Sequence, residues 1–238
     1  LLFHNHPQLF ICPSKSICKE LKKHGLKNKT KVISNGIDLN DYKDTQPDEK
    51  ILDKYELLNN KVNLIYVGRV SVEKSLDTVI KAIDNIDSNQ FKFSVVGDGP
   101  DLENLKNLTK KLNLENKINF TGRIDHERLI TSGLLKAADV FVTASKTENQ
   151  PLSIMEAMAS GLPIVSVDAL GIPELVKHKQ NGFLAQPDNE QEMAEYLEKI
   201  IEDKKLLDKM SEKSLKMIKK HSLQNVAKQL VKTYKSVR

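Results

Sequence analysis

The sequence predicts an α/β fold, a doubly wound parallel sheet followed by C-terminal helices. Six strand-like segments alternate with helical ones along the chain, which is the order of a parallel sheet with crossover helices. The segment 62–67 is an almost unbroken apolar run, as expected when helices cover both faces of the sheet. The last part contains three segments, 190–202, 205–220 and 223–237, with an apolar stripe and a lysine-rich face, a pattern typical of surface helices.

A short strand–helix–strand unit is predicted near the start of the chain. The segment 9–12 predicts a strand, and Ser14 is a good cap for an amphipathic helix over 15–24. Gly25 suits the end of that helix, because glycine readily adopts the left-handed conformation found there. A second strand is predicted over 31–34.

The middle of the chain predicts a linker and then the first half of the large sheet. A polar, mixed stretch, 39–60, contains a short predicted helix over 49–55. After this stretch, apolar strand-like segments alternate with segments in which apolar residues recur with the period of a helix. The predicted elements are strand 62–67, helix 75–86, strand 91–96, helix 101–112, strand 117–120 and a helix that starts at His126.

The segment 137–167 predicts one complete strand–helix–strand unit. Pro151 suits the first position of its helix, because the missing N–H needs no partner there. Gly161 follows the helix as a stop signal. A polar loop, 144–150, connects the first strand to the helix. The predicted elements are strand 139–143, helix 152–159 and strand 164–167.

Two carboxylates lie on either side of the start of that helix. Glu148 is in the preceding loop and Glu156 is near the middle of the helix. The helix N-terminus carries unpaired N–H groups and a positive partial charge, which together suit a phosphate. Carboxylates beside it could bind hydroxyl groups of a ribose and a sugar. The alternative is that both glutamates are solvated and merely complement the helix dipole.

A second candidate site follows the strand 62–67. Gly68 would let the backbone approach a ligand closely, and the cations Arg69 and Lys74 could clamp a diphosphate. The alternative is that both are ordinary surface charges at a helix start. Gly97 begins a glycine-rich turn after the next strand, but Leu102 stands where a dinucleotide fingerprint needs its third glycine.

Composition excludes several classes of protein. The chain has 238 residues, 39% apolar content and a net charge of +5, which fits a globular protein. It contains no apolar run long enough to span a membrane and no secretory signal pattern. Cys12 and Cys18 are too few for a disulfide framework or a zinc site. We therefore expect a cytoplasmic protein that binds no metal.

The small basic excess has two interpretations. One is attraction to anionic lipid, which would give a peripheral contact at the inner face of the membrane. The other, which we favour, is a solvated lysine-rich surface, because acidic residues are interspersed with the lysines. Nucleic-acid binding is not expected, since only 5% of the residues are aromatic and no base-stacking motif is present.

The central motif resembles the signature of the retaining group 1 (family 4-like) glycosyltransferases, which have the two-Rossmann-domain architecture called GT-B. The chain departs from many relatives at 149–151, where they have Gly-Phe-Gly or a similar sequence. A supporting motif is the family's Gly-Arg-x-x-x-x-Lys-Gly, matched except at Ser75. The residues that carry the resemblance are Glu148, Glu156, Ala157, Met158, Ala159, Gly161, Pro163, Ile164 and Val165, and in the second motif Gly68, Arg69 and Lys74.

The resemblance implies a domain organisation. The segment 32–38 is similar to the end of the family's first, acceptor-binding domain, so residues 1–45 would be a remnant of that domain plus a linker. Residues 46–220 would form the Rossmann-like nucleotide-sugar-binding domain, which is the GT-B C-terminal domain. Residues 221–238 would be the helix that crosses back to the first domain. His4 and His6 are poor substitutes for that domain's active-site histidine.

The resemblance also implies roles for individual residues. Arg69 and Lys74 would bind the diphosphate, assisted by backbone N–H groups of the central helix. Glu156 would bind the ribose, while Glu148 would bind the sugar and stabilise its developing positive charge. The catalytic residues would then be Glu148, Arg69 and Lys74. The whole predicted donor site is Gly68, Arg69, Lys74, Gly97, Ile124, Glu148, Asn149, Gln150, Pro151, Leu152, Ser153 and Glu156.

The implied activity is transfer of a hexose from a nucleotide diphosphate sugar, with UDP-glucose as the first candidate, to a hydroxyl of a glycolipid or polysaccharide. No cofactor or metal is expected, because the Asp-x-Asp motif of metal-dependent glycosyltransferases is missing. The alternative is an isolated nucleotide-sugar-binding module without transfer activity of its own.

Overall fold

The computed structural model describes residues 7–43, 45–57 and 60–236. Its strands are β1 Leu9–Cys12, β2 Lys29–Val32, β3 Val62–Val67, β4 Phe91–Val96, β5 Ile118–Gly122, β6 Val140–Val142, β7 Ile164–Val167 and β8 Gly182–Ala185. Its helices are α1 Lys15–Lys23, α2 Asn40–Lys43, α3 Glu49–Lys54, α4 Leu76–Asp84, α5 Leu102–Lys111, α6 His126–Thr131, α7 Leu134–Ala137, α8 Leu152–Ala159, α9 Ile172–Leu175, α10 Glu190–Glu202, α11 Lys204–Ile218 and α12 Leu223–Ser236. His4 and His6 lie outside the described residues.

The six strands β3 to β8 form one parallel sheet in the order β5-β4-β3-β6-β7-β8. The chain builds outward from β3 to one edge and then returns to pair β6 with the other side of β3. The strand order therefore reverses between β3 and β6. This is the doubly wound parallel sheet that the sequence predicted, and such a reversal leaves a crevice at the carboxyl ends of the strands.

The core lies on both faces of this sheet. Ile65, Phe93 and Phe141 in the central strands are completely buried. Helices α4 and α10 pack against each other, and α8 packs against β7 and α11. Burial on both faces explains why these strands read as continuous apolar runs rather than as alternating ones.

A small two-stranded parallel sheet, β1 with β2, lies apart from the large one. Helix α1 connects the two strands, and the Ser14 hydroxyl caps it by accepting from the Ile17 N–H at 3.2 Å. Strand β2 starts two residues earlier than predicted, because its pairing with β1 runs from Leu9 opposite Lys29 to Cys12 opposite Val32. Pairing with a partner strand, and not local composition, sets those bounds.

Cys12 and Cys18 form a disulfide, with their Cα atoms 5.6 Å apart. The bond ties the end of β1 to the second turn of α1. The sequence analysis did not predict it, since two cysteines do not make a framework and their pairing depends on how the strand and helix fold together.

Two local details differ from the sequence prediction. Helix α4 begins at Leu76 because Ser75 adopts a left-handed conformation, with φ of 50°. Pro151 is the cap residue of α8 and not its first helical residue, since its ψ of 121° is extended. Within residues 7–43, 45–57 and 60–236, no helix is long and apolar enough to cross a bilayer.

Several contacts join the small sheet and its flanking segment to the large domain. The Glu174 carboxylate accepts from the backbone N–H groups of Lys15 and Ser16, at 3.0 and 2.9 Å. The Asn35 N–H donates to the Gln150 side chain at 2.6 Å. Ile37 pairs with the segment before α12 through a bridge to Ser222. The domain boundaries inferred from the family resemblance stay a prediction.

Candidate functional site

A cleft opens at the carboxyl ends of the strands beside the junction of β3 and β6. The loop 68–75 follows β3, and the loop 143–151 follows β6. Because the two strands are neighbours in the sheet, the charged groups of both loops are brought to the same point. Such a meeting is what the carboxyl ends of neighbouring parallel strands provide.

An inner chamber of about 140 Å³ lies between the two loops. Lys74 donates from its Nζ to Glu148 Oε1 at 2.5 Å, with about a quarter of the Lys74 side chain exposed. The Ser145 hydroxyl lies 3.3 Å from the same carboxylate oxygen. The chamber is lined by Tyr66, Val67, Gly68, Arg69, Lys74, Thr143, Glu148, Pro151 and Ser153.

An outer chamber of about 520 Å³ adjoins the inner one and shares Val67, Gly68 and Arg69 with it. It runs along the carboxyl ends of β3, β4 and β5. Two cations, Arg69 and Arg123, line it with a single carboxylate, Asp98. The chamber is lined by Val67, Gly68, Arg69, Val96, Gly97, Asp98, Gly99, Arg123 and Ile124.

Close backbone packing forms the floor between the chambers. A Cβ atom on Gly97 would lie 1.8 Å from the Gly68 carbonyl oxygen, so no other residue fits at 97. The Tyr66 hydroxyl donates to the Arg69 carbonyl at 2.8 Å, and this bond stabilises the loop 68–75. Burial, together with the nearby Glu148 and Glu73 carboxylates, raises the pKa of Tyr66, so this hydroxyl keeps its proton and remains a donor.

The loop that carries Glu148 is pinned from the other side. The Gly171 N–H donates to the Glu148 carbonyl at 2.9 Å. A Cβ atom on Gly171 would lie 1.6 Å from the Asn149 carbonyl oxygen. The backbone at 148–149 therefore rests directly on the turn before α9, which fixes where the Glu148 side chain leaves the loop.

Glu156 lies on α8 with only 12% of its side chain exposed. Its Oε1 is 2.9 Å from Nε2 of His126. Tyr42, a residue with 4% exposure on α2, lies near the Glu156 carboxylate. Burial and this negative charge raise the pKa of Tyr42, which keeps its hydroxyl protonated.

The structure brings eight of the predicted donor-site residues to the two chambers and leaves four out of their linings. Asn149 supplies the backbone contact to Gly171. Gln150 is 8% exposed and its side chain accepts from Asn35, so it joins the linker and not the cleft. Leu152 is exposed, while Glu156 faces His126 and Tyr42. The eight lining residues are Gly68, Arg69, Lys74, Gly97, Ile124, Glu148, Pro151 and Ser153.

The prediction missed several lining residues. Arg123 follows β5 in a Thr-Gly-Arg turn, and its position after a strand end was the available signal. Tyr66 and Val67 belong to an apolar strand and carry no sequence signal for a site, since only the sheet geometry turns them toward the cleft. Tyr42, beside Glu156, lies in the polar linker.

The arrangement suits an anionic ligand with attached hydroxyl groups. Arg69 offers a cationic donor at the wall that the two chambers share, while Lys74 and Glu148 lie in the inner chamber as donor and acceptor. Among the described residues, no cluster of three or more His, Cys, Asp or Glu side chains is grouped to hold a metal ion.

Comparison with known proteins gives a family match. The model for the family described as glycosyl transferases group 1 matches residues 47–217. An uncharacterised glycosyltransferase of Haemophilus influenzae is 34% identical over 176 residues, which are 73% of this chain and 48% of that protein. The alpha-monoglucosyldiacylglycerol synthase of Streptococcus pneumoniae is 30% identical over 180 residues, or 73% of this chain and 40% of that protein.

Solved structures with the same fold include a relative with a bound ligand. The Anabaena protein HepE, crystallised in complex with UDP-glucose, is 27% identical with a TM-score of 0.87, and the match covers 99% of this chain and 65% of that one. The chain thus spans about half the length of the curated relatives it matches and less than two thirds of this structural neighbour.

Proposed function

Because the chain belongs to the group 1 glycosyltransferases, we propose that it is the donor-binding half of a retaining hexosyltransferase. The observation that carries the proposal is the meeting of Arg69, Lys74 and Glu148 in one cleft at the switch point of the sheet. That cleft joins a larger chamber, of a size for a nucleoside, to a smaller one with a carboxylate.

Arg69 and Lys74 bind the diphosphate of the donor in this proposal. Arg69 lines both chambers and so lies at the boundary where a diphosphate would link nucleoside and sugar. The N-terminus of α8 lines the inner chamber through Pro151 and Ser153, and its positive partial charge favours phosphate oxygens. These groups also stabilise the negative charge that builds on the diphosphate as it leaves.

Glu148 and Glu156 bind the hydroxyl groups of the donor. Glu148 lies in the inner chamber, where a sugar ring would be held, and its charge favours the positive character of the ring in the transition state. Its partner Lys74 would at the same time face the diphosphate. Glu156, on α8 outside the linings of the two chambers, binds the ribose.

The reaction breaks the bond between the anomeric carbon and the diphosphate oxygen and forms a bond to the acceptor oxygen on the same face. The leaving diphosphate oxygen takes the proton of the acceptor hydroxyl, so no separate general base is needed. Arg69 and Lys74 supply the cationic charge that a metal supplies in other glycosyltransferases, which supports metal-independent transfer.

UDP-glucose is the donor that we propose first. HepE, which shares the fold, was crystallised with UDP and with UDP-glucose. At 27% identity this supports the proposal for the present chain, and the titration below compares UDP with other nucleotides.

The proposed acceptor is a glycolipid or a glycan hydroxyl. The Streptococcus pneumoniae relative is named for a diacylglycerol glycolipid. Three exposed apolar residues suit the hydrocarbon part of such an acceptor: Val72 after β3, Leu152 at the start of α8 and Leu170 before α9. A peripheral contact with the membrane would follow from that substrate.

The second candidate function is nucleotide-sugar binding without transfer. The chain carries the donor cleft but spans only about half of its curated relatives. In that case the nucleotide sugar binds and sugar transfer needs the acceptor-binding half. Joining the chain to such a half and assaying transfer from UDP-glucose separates the two functions.

The direct test is a calorimetric titration of the chain with UDP, UDP-glucose, GDP and ADP. We expect UDP to bind more tightly than GDP or ADP. Replacing Arg69 with alanine should weaken UDP binding by tenfold or more, since a charge-assisted hydrogen bond contributes about 1.5–3 kcal/mol.

Arg128→Ala is the matched control, because Arg128 lies on α6 and lines neither chamber. This variant should bind UDP within twofold of the unmodified chain. Equal losses in the Arg69 and Arg128 variants, or no binding of any nucleotide, would contradict the proposed donor site.

A further inference from the structure

Two side chains that no motif marked lie at the Glu156 carboxylate. His126 is the first residue of α6 and Tyr42 lies on α2, and both helices are remote in sequence from α8. The distance from His126 Nε2 to Glu156 Oε1 is 2.9 Å. Helix α2 packs against both α6 and α8, which brings Tyr42 close to the same carboxylate.

This arrangement leaves the carboxylate able to bind a ligand. A carboxylate has about four acceptor positions, and His126 uses one of them while Tyr42 lies close by. Enough positions remain for the two hydroxyl groups of a ribose. Because the side chain is only 12% exposed, water competes little for them.

The two partners fix the direction of Glu156 rather than simply pairing its charge. Tyr42 has 4% exposure, and its pKa is raised by burial and by Glu156, so it stays a proton donor at neutral pH. The His126 contact and the buried Tyr42 beside it together restrict the directions that the Glu156 side chain can take. Donors that orient a binding group in this way set its affinity without contacting the ligand.

We propose that Tyr42 and His126 are positioning residues that hold Glu156 in the orientation that receives the ribose hydroxyls of the nucleotide. This inference rests on the proposed function, since it takes Glu156 as the ribose-binding group. It adds two residues to the donor site, one of them from the linker before the large domain.

The test compares UDP with 2′-deoxy-UDP in calorimetric titrations. The ratio of the two dissociation constants measures how well the ribose hydroxyl is bound, independently of the base and the phosphates. In the unmodified chain we expect 2′-deoxy-UDP to bind about tenfold more weakly, the loss of a hydrogen bond to a charged group. Glu156→Gln should bring that ratio close to one.

Tyr42→Phe and His126→Ala should each lower the ratio at least threefold while leaving the affinity for 2′-deoxy-UDP within twofold. His126→Gln keeps an N–H donor and should restore the ratio. Tyr55→Phe, which alters another buried tyrosine, and His24→Ala, which removes another histidine paired with a glutamate, are controls that should leave the ratio unchanged.

The outcomes are distinct. If Tyr42→Phe and His126→Ala weaken both ligands equally, the residues are only structural and the inference is wrong. If UDP binds but Glu156→Gln leaves the ratio unchanged, Glu156 does not bind ribose, and the inference fails while the donor cleft stands. If UDP does not bind the unmodified chain, the proposed donor fails and the inference fails with it.

Discussion

Gly171 shows how a single residue outside the charged motifs controls the cleft. It has no side chain because the Asn149 carbonyl occupies the place of a Cβ atom, 1.6 Å away. Its N–H donates to the Glu148 carbonyl at 2.9 Å. The two contacts fix the position of the backbone at Glu148 and Asn149. The orientation of the Glu148 carboxylate therefore depends on a residue 23 positions further along the chain.

Replacing Gly171 with alanine should therefore displace the loop that carries Glu148. We expect a lower melting temperature and a loss of UDP affinity of tenfold or more, measured by thermal unfolding and by calorimetry. Gly25→Ala is the control, since Gly25 has a positive φ of 91° but nothing within 4 Å of its Cβ position. That variant should lose about 1 kcal/mol of stability from backbone strain and keep its UDP affinity. Normal UDP binding in the Gly171 variant would contradict this role.

Helix α1 illustrates how one element depends on another. Ser14 caps it locally, as its sequence indicates. The next two N–H groups, of Lys15 and Ser16, are bound by the Glu174 carboxylate on α9. Glu174 lies in the first turn of its own helix, α9, where a carboxylate usually complements the helix dipole. Its acceptor oxygens are instead used by a helix of the small sheet, which joins the two parts of the molecule.

Glu174→Ala should remove this second cap and loosen α1. We expect a loss of about 1 kcal/mol, the usual effect of losing a cap, and faster hydrogen exchange at the amides of Lys15 and Ser16. Glu127→Ala is the matched control, because Glu127 is also in the first turn of a helix, α6. Unchanged exchange at both amides in the Glu174 variant would show that the contact does not stabilise α1.

At the scale of the whole molecule, the chain crosses back on itself at His221. The side chain has 8% exposure and its Nδ1 lies 2.6 Å from the Ser34 hydroxyl. That hydroxyl donates to the Asn35 carbonyl at 2.8 Å. The Nδ1–H of His221 therefore donates a hydrogen bond to the Ser34 oxygen, and His221 is neutral. Burial, with a smaller contribution from Lys220, lowers the pKa of His221 from 6.5 to about 4.

This pKa predicts acid sensitivity of the crossing point. The unfolded histidine binds a proton below about pH 6.5, while the folded one resists until about pH 4. Stability is therefore complete above pH 6.5 and falls as the pH drops from 6.5 toward 4. Urea unfolding at several pH values should show a smaller loss for His221→Asn, whose amide keeps the bond to Ser34. His24→Asn, at an exposed site, should titrate like the unmodified chain, and an identical loss in all three proteins would contradict the assignment.

The sequence by itself determined the parts of this protein that depend on neighbouring residues. The apolar runs of β3 and β4 and the good helix formers of α8 indicated where those elements lie, because apolar composition and helix propensity are local properties. The two charged motifs could also be recognised as candidate sites, since each follows the end of a predicted strand. The order of the strands then brings Arg69, Lys74 and Glu148 to one cleft.

The tertiary structure decided what depends on contacts between distant segments. Gln150 meets Asn35, 115 residues away, and Glu174 meets Lys15, 159 residues away. The partners of Glu156 come from a linker and from α6. No local pattern encodes such pairs, because each side chain can satisfy its polar groups in many ways in the unfolded chain. Only the packing of the folded elements selects one partner for each side chain. It places Gln150 against Asn35 and Tyr42 beside Glu156.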